Sequence, residues 1–135
     1  MNNFSSSPEA SHRSGQITPS ISGLRTDEEV RGFRLAKWSG DEEKKHHGEG
    51  GDVALVKFGA SWCHHCREVF PQFLRLTQQF PGLRYAVAQI DYMKDEAKHV
   101  EYTPTFTFYK NGARVDEVFG AEMEKLKDRM WLHSD

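Results

Sequence analysis

Apolar side chains recur along the second half of the chain in two rhythms, and the change of rhythm marks the elements. Val53-Ala54-Leu55-Val56-Lys57-Phe58 is an apolar run closed by Gly59, long enough for a strand covered on both faces and too short for a helix. Lys57 is the anomaly within it. Val69, Phe73, Leu76 and Phe80 then follow at intervals of four, three and four, which puts them on one stripe of a helix that lies against a sheet and ends before Pro81-Gly82. Pro71 falls inside that helix and should kink it. Further buried strands are expected over 85–90 and 105–109, with Phe106 and Phe108 as core positions. Asn111-Gly112 is the strongest short-range hairpin signal and leads into an antiparallel edge strand over 114–119. Met123, Leu126 and Met130 align on one face of a closing helix over 122–132, whose charged residues form its solvated side.

The first half reads differently. Residues 1–22 are rich in Ser, Pro, Asn and Gly, with too few apolar side chains to offset the entropy of ordering them, so a disordered N-terminal tail is expected there. Thr26-Asp27-Glu28-Glu29 has the spacing of a reciprocal helix cap, and Val30, Phe33 and Lys37/Trp38 recur at helical intervals, giving a short helix over 27–38. The stretch SGDEEKKHHGEGGD has the composition of a mobile connector. The expected organisation is a tail (1–22), a capped helix with a charged Gly-rich connector (23–51), and a packed domain (52–135). Its element order describes an α/β fold: a central mixed sheet of at least four strands with helices on both faces. Its first two strands are joined by a crossover and its last two by a hairpin.

Composition narrows the partners. At 135 residues the chain is long enough for one domain, and 18 basic against 20 acidic side chains give a formal charge of −2 with the signs interspersed. No basic footprint for nucleic acid or anionic lipid follows from that balance, and no apolar stretch approaches the roughly 18 residues of a membrane helix. The start, MNNFSSSPEASHRSG, lacks the order of a secretory signal and only faintly resembles a transit peptide. A cytoplasmic monomer is expected, with the chloroplast as the alternative compartment.

The two cysteines, Cys63 and Cys66, are separated by two residues, which rules out a stapled disulfide framework and leaves metal or redox chemistry. A zinc site lacks its second half, because there is no other CxxC and His46 and His47 are adjacent in the connector instead of spaced as ligands. An iron–sulfur cluster would need the cysteines of two chains. Neither a metal nor a bound cofactor is expected. Ser61-Trp62-Cys63-His64-His65-Cys66 lies between a buried strand and a helix, so Cys63 falls at the first turn, where free N–H groups and the helix dipole stabilise an anion. Its thiol should therefore ionise below the free value of about 8.5. Cys66, one turn on and more buried, is placed to resolve what Cys63 attacks.

These residues resemble the thioredoxin superfamily. Phe58, Gly59, Ala60, Ser61 and Trp62 lead into the cysteines as the apolar strand and Trp do there, and Pro71 lies five residues beyond Cys66. Tyr102-Thr103-Pro104-Thr105-Phe106 is similar to the cis-proline segment, while Lys110-Asn111-Gly112 and Gly120 are similar to the hairpin and the glycine beside the substrate groove. YTPTF, VDEVFGA and DRMWLHS further resemble the plant thioredoxin-like proteins of the third thioredoxin-like group. The resemblance covers 53–132 and implies a thioredoxin fold, a cis bond before Pro104, a target peptide paired with Thr103, and a substrate surface that includes Trp62, Pro104 and Gly120. It also implies protein-disulfide exchange with target proteins, recharged by a thiol reductase or glutathione.

Two departures from the family stand at the site. Where thioredoxins usually carry Gly-Pro between the cysteines, this chain has His64-His65. A partly protonated imidazole near Cys63 favours its thiolate and makes the disulfide a stronger oxidant than thioredoxin's. Lys57 occupies the place of a buried Asp that assists the resolving cysteine. As a neutral amine it could serve as base for Cys66, as a cation it could help ionise Cys63, or it could reach the surface without a role. The leading function is thiol–disulfide oxidoreduction through Cys63 and Cys66. The alternative is a peptide-binding module with slow or absent turnover.

Overall fold

The apolar run that begins at Val53 is a strand, Val53–Gly59, buried at every position, and it lies near the middle of one sheet. The computed structural model describes residues 15–18, 21–36, 52–120 and 122–134. Expectations for 1–14 and for the connector with His46 and His47 lie outside these residues. In chain order the elements are β1 (Gly15–Thr18), β2 (Ile21–Leu24), α1 (Asp27–Leu35), β3 (Val53–Gly59), α2 (His64–Gln79), β4 (Arg84–Gln89), β5 (Thr105–Lys110), β6 (Ala113–Phe119) and α3 (Met123–His133), with a 3-10 turn at Ile90–Tyr92. Six strands pair in the order β1-β2-β4-β3-β5-β6.

The register of β3 fixes the site end of the molecule. Its parallel pairing with β4 sets Gly59 opposite Gln89, and its antiparallel pairing with β5 sets Phe58 opposite Thr105. Alternation then sorts side chains by face. Val53 and Leu55 join Val69, Phe70, Phe73 and Leu76 of α2 and Met123, Leu126 and Met130 of α3 in one core. Ala54, Val56 and Phe58 point the other way, to Val30 of α1 and to Met93, Ala97 and Val100. Helices thus cover both faces, as the sequence implied. Phe73 centres the larger core, meeting Phe106 at 5.6 Å and Tyr85 edge-on at 6.2 Å.

Residues 15–18 and 21–24 correct the reading of 1–22 as a disordered tail and of 52 as the start of the packed unit. β2 pairs in parallel with β4, Ile21 opposite Tyr85 through Leu24 opposite Ala88, and β1 pairs antiparallel with β2. Ile21 and Leu24 are buried. A segment with few apolar residues cannot order itself, but β4 presents a ladder of backbone partners on which it can dock, and that gain does not appear in composition. Helix α1 belongs to the same unit and ends at Leu35 with Ala36 as its C-cap, while positions 37–38 of the expected helix lie outside the described residues. Its cap is the reciprocal one: Thr26 Oγ1 accepts from Glu29 N at 3.1 Å and Glu29 Oε1 accepts from Thr26 N at 3.1 Å.

The hairpin forms as its sequence requires, with Asn111 at φ 53° and Gly112 at φ 91°, the positive pair that matches the twist of the flanking strands. Arg34 fastens it to α1, donating to the Gly112 carbonyl at 2.7 Å and gripping Glu96 at 2.8 and 3.1 Å.

His99 lies under this assembly, its Nε2 2.9 Å from Thr107 Oγ1 and its ring edge-on to Phe58 at 5.1 Å. Burial, aided by the positive charge of Arg114 and opposed by Glu96, pushes the imidazole down to about 4. Between pH 6.5 and 4 the unfolded chain binds a proton here that the folded chain refuses, so stability is whole above that window and falls as pH drops through it. With solvent screening allowed for, the loss is about 1 kcal/mol. The thermal midpoint of His99→Gln is expected to fall less than that of the wild type between pH 7 and 4.5; parallel falls would assign the loss to carboxylates.

Candidate functional site

Strand β3 ends at Gly59, and the chain turns at once: Cys63 N donates to the Ala60 carbonyl at 3.1 Å. That turn makes Cys63 the N-cap of α2, in extended backbone geometry, with its Sγ accepting from Cys66 N at 3.1 Å. Cysteine here takes the part that Ser or Asp usually plays, because its sulfur receives one of the N–H groups a helix start leaves unpaired. No acidic side chain stands in the first turn to offset that positive end. Cys63 and Cys66 are disulfide-bonded, their Cα atoms 5.3 Å apart, and they pack with Ala60 and Ile90. Cys63 is 4% exposed and Cys66 fully buried, so the first sulfur is the one nearer to solvent.

Two residues that sequence reading missed hold the approach to Cys63. Asp91 Oδ2 accepts from Ser61 N at 3.4 Å and from Gln89 Nε2 at 2.7 Å, while Arg67 donates to the Ser61 carbonyl at 3.0 Å. Only the parallel pairing of β3 with β4 brings Asp91 to Ser61, and nothing local in the sequence announces it.

The cis-proline segment arrives from the other side. The Thr103–Pro104 bond is cis, as the resemblance implied, and the β3–β5 register sets Pro104 beside the end of β3. Gly120, at φ 63°, donates its N–H to the Pro104 carbonyl at 2.8 Å, so these two expected site residues do meet. Thr103 is half-buried. Exposed aromatic rings stand nearby in the chain: Trp62 is 70% exposed, and Tyr102 and Phe119 meet edge-on at 6.2 Å.

The two family departures go to opposite environments. Lys57 is wholly buried, which removes the reading of a side chain that reaches the surface. Its Nζ lies 5.6 Å from the centre of the Phe70 ring, one helical turn beyond Cys66. His64 and His65 are solvent-facing, and each turns a ring nitrogen to one carboxylate: His64 Nε2 is 3.0 Å from Glu68 Oε2 and His65 Nδ1 is 3.4 Å from Glu68 Oε1. Among the described residues, no group of three His, Cys, Asp or Glu side chains is placed to hold a metal.

Residues 40–131 match the family model described as Thioredoxin. The chain is similar to Thioredoxin-like 3-3 of Arabidopsis thaliana, 46% identical over 81 residues that make up 60% of this chain and 64% of the relative. Its likeness to Thioredoxin-like 3-3 of Oryza sativa subsp. japonica is 43% over 81 residues, 60% of this chain and 63% of the relative. The chain therefore spans just under two thirds of the length of these relatives. Fasciola hepatica thioredoxin superposes with a TM-score of 0.58 at 33% identity, covering 69% of this chain and 91% of that one. Plasmodium falciparum thioredoxin, at 20% identity, shares the fold with a TM-score of 0.67 over 84% of this chain and 98% of its own.

Iodoacetamide applied to the reduced protein is expected to modify Cys63 first, with a pH midpoint below about 8.5, and Cys66 at full rate only after denaturation. Mass spectrometry of the labelled peptides reads both; equal labelling of the native thiols would undo the assignment.

Proposed function

Because the chain belongs to the thioredoxin family, we propose that Cys63 and Cys66 form a two-electron couple that reduces disulfides of target proteins. The observation that carries this reading is Cys63 Sγ at the N-cap of α2, taking an N–H bond from Cys66. In the reduced protein that end of the helix stabilises a thiolate, by up to about 2 kcal/mol in partly buried geometries.

The exchange runs in two displacements. The Cys63 thiolate attacks one sulfur of the target disulfide; the target's S–S bond breaks, a mixed disulfide forms and one target thiolate leaves. Cys66 then loses its proton and attacks Cys63 Sγ, releasing the second target sulfur and closing the Cys63–Cys66 bond. Two electrons have passed to the target. A thiol reductase or glutathione returns them, and the cytoplasm is the compartment proposed for that supply, with the chloroplast as the alternative.

Other residues serve these steps. Thr103 pairs with an extended target backbone beside Pro104 and Gly120, and Trp62 offers an exposed ring to the same surface. Complete burial disfavours a charged ammonium, which suits Lys57 to receive the proton that Cys66 gives up; its place beside Phe70, one turn past Cys66, supports this over a role at Cys63. His64 and His65 bias the couple toward oxidation, so its potential lies above the roughly −270 mV of thioredoxin.

The purified protein is expected to reduce insulin with dithiothreitol as electron source, and Cys66→Ser to accumulate a covalent adduct with the target that Cys63→Ser does not form. Without insulin reduction or adduct, the chain is a peptide-binding module instead. Lys57→Met, which keeps the length and removes the amine, should slow adduct resolution by about tenfold or more; an unchanged rate would remove Lys57 from the proton path.

A further inference from the structure

Glu68 is the single acidic residue of α2, and its two oxygens are divided between the two imidazoles that separate the cysteines, at 3.0 and 3.4 Å. The side chains of His64, His65 and Glu68 are 73%, 69% and 54% exposed. Exposed ion pairs of this kind add little to stability. Their position matters more, since His64 directly follows Cys63 and the carboxylate lies one turn into the helix whose start holds the sulfur. Whatever positive charge the imidazoles lend to a Cys63 thiolate, Glu68 opposes, and it holds one nitrogen of each ring on the flank of α2.

Resting on the exchange reading above, we infer that Glu68 is a positioning residue that restrains the oxidising bias of the His64-His65 pair. The other polar groups around the helix start are engaged elsewhere. Arg67 donates to Ser61, Asp91 accepts from Ser61 and Gln89, and Lys57 lies over the Phe70 ring. Glu68 is therefore the charge that answers the imidazoles directly. With glutathione the couple balances: two glutathione thiols give up two electrons and two protons and join as a disulfide. The Cys63–Cys66 bond takes the electrons, Cys66 takes one proton, Cys63 remains a thiolate and one proton goes to solvent.

Removing Glu68 takes away a charge that opposes the imidazoles and frees both rings to face the sulfur. Glu68→Gln is expected to shift the equilibrium with glutathione at pH 6 about threefold toward a more oxidising couple, or ~14 mV at 29.6 mV per tenfold change. The shift should shrink at pH 8.5, because only a protonated imidazole carries the charge that Glu68 opposes. In the His64→Asn/His65→Asn background, Glu68→Gln should change nothing.

The alkylation profile of the dithiothreitol-reduced protein gives a second readout that needs no turnover: the Cys63 midpoint moves to lower pH in Glu68→Gln with the histidines present and stays put without them. No shift at pH 6, a shift toward a more reducing couple, or the same shift in both backgrounds would overturn the proposal. Failure of the exchange reading looks different: the wild type would not reduce insulin, while the alkylation profiles would still report on Glu68.

Discussion

The register of β3 between β4 and β5 is the constraint on which the rest depends. A parallel partner on one side and an antiparallel one on the other bring three chain segments to the same edge: the turn after Gly59, the 3-10 turn after Gln89 and the segment before Thr105. Cys63, Asp91 and Pro104 are far apart in sequence and adjacent only through this pairing. A slip of one residue in β3 would also exchange its faces, moving Leu55 out of the α2 core and Lys57 away from Phe70. The site is thus specified by burial on two faces before any polar contact is made.

Charge is sorted by the same geometry. Alternation along β3 drives Lys57 into the apolar layer under α2, since its neighbours at Leu55 and Phe58 are wholly buried and no register puts it in water without exposing them. His64 and His65 sit on the first turn of a helix whose apolar stripe already faces the sheet, so their rings emerge on the solvent side, where Glu68 meets them. In the exchange proposed above, the buried amine would act on a proton in a medium that penalises charge, and the exposed imidazoles would act through screened electrostatics, which adjust an equilibrium by small steps. Chemistry and tuning are separated by a single layer of helix.

Much of this was legible in the chain. The β3 run, the helical stripe of Val69, Phe73 and Leu76, the Asn111-Gly112 hairpin and the Thr26 cap are local patterns whose physics is complete within a few residues, and all four appear where they were expected. β1 and β2 were not legible, because their order comes from the edge of β4 and not from their own composition. Asp91 and Arg67 were missed for a related reason: each grips a backbone atom of Ser61, and backbone partners leave no mark in a sequence. Glu68 is a different case. Its spacing of three and four from the histidines is visible in the sequence, but on a helix that spacing is equally the pattern of an ordinary solvated face.

Where the polar clamps lie bears on how such a site works. Arg84 grips Asp52 in a bidentate pair at the start of β3 and also donates to the Phe33 carbonyl, and Arg34 ties α1 to the hairpin. Both stand at the end of the sheet away from the cysteines, and both are charge-assisted and partly shielded from water, the stronger kind of hydrogen bond. The cysteine end is tied mainly through single backbone atoms: Ser61 to Asp91 at 3.4 Å, Ser61 to Arg67 at 3.0 Å and Gly120 to Pro104 at 2.8 Å. A disulfide exchange needs sulfurs brought into line from two chains, so the receiving edge has to yield slightly to differently shaped targets while its helix start stays fixed. Anchoring the sheet at the far end and resting α2 on the Phe73 core suits the proposed exchange, because the helix start that carries Cys63 is set by burial and not by the contacts around it.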